Sequence, residues 1–120
     1  MKIAVSSKGK SLVSDVDERF GRCPYFIVVE IDEKEIKGFE VKENTSIKMK
    51  TGAGTTAAQV VADLGVDVII TGNMGPRAFE IFKQLDVEVY GAEGIIESAL
   101  KDFINGKLEK FDNARCPEQC

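Results

Sequence analysis

Apolar positions recur along the chain with two different periods. Lys2 to Ser6 carries Ile3, Ala4 and Val5 in succession, the pattern of a short strand buried on both faces. A polar stretch from Ser7 to Pro24 follows, and a loop of that length in a compact domain is often functional. Tyr25 to Ile31 is aromatic and β-branched, Asp32-Glu33-Lys34 makes a turn, and Glu35 to Val41 resumes the apolar pattern, which together read as a β-hairpin. Beyond a second polar segment, Lys42 to Gly54, the period changes: Ala57, Ala58, Val60, Val61 and Leu64 form the stripe of a helix over Thr55 to Leu64, closed by Gly65. Val66 to Thr71 is again a strand. Gly72-Asn73-Met74-Gly75 then turns into a helix opening on Pro76, whose locked φ suits the first helical position, with Ala78, Ile81, Phe82 and Leu85 inward. Val87 to Tyr90 is a further strand. Gly91 to Gly94 leads into a last helix with Ile96, Ala99, Leu100 and Phe103 inward, ended by Gly106.

The order strand, hairpin, helix, strand, helix, strand, helix predicts an α/β fold. Right-handed crossovers place the first strand centrally, so the mixed five-stranded sheet should run 3-2-1-4-5 with only the second strand antiparallel. Residues 1–108 form the expected domain, and 109–120 a polar, cysteine-containing tail that is loosely held.

Length and composition narrow the functional classes. A chain of 120 residues is one domain, and 43% hydrophobic with 30% charged residues describes an ordinary soluble globule. The net charge of −4 disfavours nucleic acid as the main partner. No apolar run approaches the ~20 residues that span a bilayer, and Met1 leads straight into a strand pattern, so a cytoplasmic protein is expected. There is no histidine, which removes the commonest general base and the usual zinc ligand. Three cysteines, Cys23, Cys116 and Cys120, point to thiols, a metal or a cluster rather than to a disulfide framework.

In the predicted topology the candidate chemistry collects at the carboxyl edge of the sheet, where ligands of open α/β folds bind. Gly52, Gly54 and Thr55 open one helix and Gly72, Asn73, Met74 and Gly75 precede another, so unpaired N–H groups and two positive dipole ends face an anion there. The Gly-Lys-Ser/Thr ending of a Walker loop is absent. Arg19 and Arg22 suit phosphate, carboxylate or an anionic cluster, and Met74 is a soft thioether. Cys23, with Cys116 and Cys120 at the chain end, forms the candidate set of soft metal ligands.

Phe20-Gly21-Arg22-Cys23-Pro24-Tyr25-Phe26, Gly52-Ala53-Gly54, Ala57-Ala58-Gln59, Leu64-Gly65-Val66-Asp67-Val68-Ile69-Ile70 and Gly72 to Gly75-Pro76 together resemble the dinitrogenase iron-molybdenum cofactor biosynthesis family, the small NifX-like domains. The resemblance runs from Met1 to about Leu108. It implies a ribonuclease H-like three-layer layout and a binding or carrier role, without catalysis, for an iron-molybdenum cofactor, its iron-sulfur precursor or a related cluster. It also implies cofactor-assembly proteins as partners. Some relatives have histidine where Arg19 stands, so imidazole ligation at that position is not available here. Two other readings use the same edge: a phosphate- or nucleotide-binding regulator, and a carboxylate-metal nuclease employing Asp15, Asp17 and Glu18, which the acid-free first strand disfavours.

Overall fold

A computed structural model describes residues 1–47 and 49–114. The chain forms β1 (Lys2–Ser7), β2 (Tyr25–Asp32), β3 (Glu35–Glu43), α1 (Ala53–Ala62), β4 (Val68–Thr71), α2 (Pro76–Gln84), β5 (Glu88–Gly91), α3 (Ile96–Ile104) and β6 (Glu109–Lys110). The sheet order is β3-β2-β1-β4-β5-β6. The five expected strands thus stand in the expected order, β1 parallel to β4 and β4 to β5, with β2 antiparallel to both of its neighbours.

Alternation along the central strands divides the core. Ala4, Phe26, Val28, Ile69 and Val89 face one layer, which α1 and α2 complete with Ala57, Val61, Ala78 and Phe82. Ile3, Val5, Ile27, Val29 and Ile70 face the other, covered by Ile96, Ala99 and Leu100 of α3. Burial on both faces explains why β1 and β4 read as continuous apolar runs instead of alternating ones. The hairpin turns on Glu33 and Lys34, both at positive φ (51° and 66°), a two-residue geometry that matches strand twist.

One expectation is corrected. The start of the tail is held to the sheet: Glu109–Lys110 pairs antiparallel with β5 as a sixth strand, anchored by Phe111, which is 2% exposed, and residues 115–120 lie outside the described residues. A single aromatic after a polar stretch gives no periodic signal. The Ser7 to Pro24 segment is a long loop, as expected, and it is tied down along its length. Its Val16 N–H donates to Gly94 O at 2.8 Å, while Leu12 O and Ser14 O accept from Glu97 N and Ile96 N, both at 2.9 Å.

Candidate functional site

The carboxyl ends of β1, β3, β4 and β5 share one edge, and the segment from Asp17 to Pro24 runs along it. Its course is set by close backbone contacts that only glycine permits. A Cβ on Gly21 would lie 2.7 Å from Gly54 Cα and N, and one on Gly72 2.6 Å from Glu18 Cα. The segment therefore rests on the start of α1 at one end and on the β4–α2 turn at the other. Between them, Ser6 Oγ donates to Asp17 O (2.6 Å) and meets Thr71 Oγ1 at 2.7 Å. The buried Asp17 carboxylate accepts from Arg19 N at 2.9 Å and from Arg19 Nε at 3.4 Å. The Arg19 side chain is otherwise 62% exposed, so its outer amino groups face solvent.

Asn44 locks this segment to the one after β3. Its side chain is buried; Nδ2 donates to Gly21 O (3.2 Å) and Cys23 O (2.7 Å), and Oδ1 accepts from Ser46 N (3.1 Å) and Ser46 Oγ (2.6 Å). Arg22 completes the clamp in the opposite sense. Its guanidinium donates to Ile47 O at 3.0 Å, to Met49 O, and to Lys50 O at 3.4 Å. Three donor contacts to backbone carbonyls make Arg22 a tie between loops, where the sequence suggested an anion-binding group. The polar segment hid Asn44 because nothing in its composition distinguishes a clamp from a solvated turn.

The two helix starts meet. A Cβ added to Gly54 in α1 would lie 3.9 Å from Ala78 Cβ, in the first turn of α2. Both N-caps are glycines, Gly52 and Gly75, neither helix has a side-chain cap, and neither carries an acid in its first turn. No acceptor among the described residues takes the N–H groups of Gly54, Thr55, Arg77 or Ala78. Helix α3 is the internal contrast: Glu97 lies in its first turn and its leading N–H groups donate to Ser14 O and Leu12 O. Arg77, exposed in the first turn of α2, adds a cation beside the pair.

Other candidates fall elsewhere. Cys23 is fully buried, its Sγ donating to Phe20 O at 3.3 Å. Burial, with a smaller contribution from the nearby Asp17 charge, pushes its thiol up to about 12, so it is held neutral and packs as a small apolar group. Met74 is likewise in the core beside α1 and α2. Gly72 and Asn73 line a separate open groove of about 540 Å³ with Lys8, Asp15, Glu18 and Glu93, a net acidic surface. Cys116 and Cys120 lie outside the described residues. Among the described residues, no three His, Cys, Asp or Glu side chains are grouped so as to hold a metal ion.

Comparison with known proteins places the molecule. The family described as dinitrogenase iron-molybdenum cofactor matches residues 1–106. The chain belongs to that family. An uncharacterized protein of Methanocaldococcus jannaschii is 44% identical over 113 residues, spanning 93% of this chain and 92% of its own. The apo form of the orange protein from Desulfovibrio gigas superposes with a TM-score of 0.89 at 33% identity, covering 96% of each chain. A candidate NifB protein from Thermotoga superposes at 0.81 with 34% identity, covering 98% of each. Membership of the iron-molybdenum cofactor family points to a cofactor-related binding or carrier role. No helix among the described residues is long and apolar enough to cross a membrane.

Proposed function

We propose that this protein binds and carries an anionic metal-sulfur cofactor, of the iron-molybdenum or iron-sulfur type, or a precursor of one, at the joined starts of α1 and α2. The observation that carries this reading is the close juxtaposition of two uncapped, carboxylate-free helix N-termini, in a chain whose third helix is capped internally. Each start contributes directed N–H donors and about half a positive charge, and adjacent starts reinforce one another. Arg77 and the outer face of Arg19 supply further positive charge against an acidic background, which draws anions to this edge. Backbone N–H, hydroxyl and guanidinium groups hold an anion without transferring protons or forming bonds to it. That is the behaviour of a carrier. The burial of Cys23 and Met74 supports a cofactor held by its charge and shape instead of by thiolate or thioether ligation.

The test is anaerobic loading with ferrous iron and sulfide, with and without molybdate, followed by metal and sulfide analysis after desalting. The protein should retain both metal and sulfide. Thr55→Glu places a carboxylate in the first turn of α1; it should stabilise the helix yet weaken retention about tenfold, because it satisfies the same donors the anion needs. Lys101→Glu, on α3, should change retention little. No retained metal, or retention by Thr55→Glu equal to that of the parent, would overturn the reading. Binding of inorganic phosphate in place of metal and sulfide would favour a phosphate-binding regulator at the same site.

A further inference from the structure

The outer edge of the sheet at β3 carries a pattern that the cofactor site does not use. β3 is the terminal strand of the sheet, paired on one side with β2. Its register contains one irregularity: Ile31 stands opposite Ile36 and Glu30 opposite Gly38, so Lys37 is an inserted residue. The insertion changes which residues share a face. Ile36, Phe39 and Val41 stand opposite Ile31, Val29 and Ile27 on the α3 side, whereas Glu35, Gly38, Glu40 and Lys42 stand on the other. In an uninterrupted strand Ile36 and Val41, five residues apart, would point to opposite faces. Here they flank Phe39, which is 46% exposed at the centre of the edge.

We propose that two copies of this chain pair antiparallel along their β3 edges, with Phe39 of each copy meeting at the two-fold axis. A two-fold perpendicular to the sheet requires directly opposed residues to share a face, which limits the available registers. With Phe39 on the axis, Ile36 opposes Val41 on the α3 face, and Glu35 opposes Lys42 on the other, each pair occurring twice. The apolar stripe is then covered by its own image and every opposed ion pair has opposite signs. The neighbouring registers fail on charge. Shifting the axis one way sets Glu35 against Glu40; shifting it the other sets Glu40 against Glu40 and Ile36 against Glu43. Like charges directly opposed across strands are destabilising. Inserted residues and charged side chains normally protect an edge from adventitious pairing. On this edge the same devices select a strand with the same insertion and the complementary charge order, which a second copy supplies.

Sedimentation or light scattering across a concentration series, with circular dichroism to confirm folding, tests the pairing. The parent chain should shift from monomer to dimer with concentration. Lys42→Glu should raise the dimer dissociation constant about tenfold or more, since it places like charges across both symmetric contacts. The double swap Glu35→Lys with Lys42→Glu should restore most of that loss, and Phe39→Glu should abolish dimerisation while leaving the monomer folded. A parent chain that stays monomeric to millimolar concentration would overturn the proposal. So would a dimer indifferent to Phe39→Glu, or a charge swap that fails to rescue. None of these results depends on metal loading, so their failure is separate from failure at the cofactor edge.

Discussion

Asn44→Ala tests the clamp that shapes the cofactor edge. The residue is 4% exposed and, besides a long contact from Nδ2 to Cys23 Sγ at 3.9 Å, its side chain makes four hydrogen bonds, two donated to Gly21 O and Cys23 O and two accepted from Ser46. At about 1 kcal/mol net for each bond, and more for a buried partner left unsatisfied, the gross loss is roughly 4 kcal/mol. Gly21 is only half-buried, so water recovers part of this, and a net cost of about 2–3 kcal/mol is expected. That is a large share of the roughly 5–15 kcal/mol typical of a domain. Urea denaturation should show a lower midpoint with an unchanged slope. Asn44→Asp sharpens the test, because it keeps the shape but replaces both donors with an oxygen facing two carbonyls. It should destabilise at least as much near neutral pH, and part of the loss should return at low pH, where a protonated carboxyl regains one donor. A cost below about 0.5 kcal/mol for Asn44→Ala, or an Asn44→Asp protein as stable as the parent at neutral pH, would refute the clamp.

Two further outcomes follow from burial. The unfolded Cys23 thiol loses its proton near 9.0, whereas the folded one keeps it to about 12. Its contribution to stability is therefore fully present below pH 9 and is lost as pH rises toward 12, at a slope of about 1.4 kcal/mol per pH unit. Denaturation measured from pH 8 to 11 should be flatter for Cys23→Ala than for the parent, and equal slopes would argue that the thiol is accessible. Phe111→Ala should cost about 3–4 kcal/mol by opening a cavity beneath β5 and should speed amide exchange along β5 and β6; a change below about 1 kcal/mol would show that the sixth strand contributes little.

Hydrophobic period alone determined most of the architecture. The doubly buried runs at Ile3–Val5 and Val68–Ile70, the aromatic and β-branched hairpin and the stripes at Ala57–Val61 and Ala78–Phe82 point to strands and helices by period, and right-handed connection leaves one order for the five strands they predict. The joined helix starts were legible for the same reason, since Gly52 and Gly75-Pro76 mark helix beginnings locally. What only the tertiary structure decided depends on contacts between segments distant in sequence. Arg22 and Cys23 carry chemistry that suits a cofactor, but neighbours more than twenty residues away turn one into a tie for the carbonyls of Ile47, Met49 and Lys50 and bury the other as a neutral thiol. Lys37 changes the facing of β3 only because β2 skips it in the ladder. Side-chain identity sets what a residue is able to do, whereas burial and hydrogen-bond partners, which are properties of the packed chain, select among those possibilities.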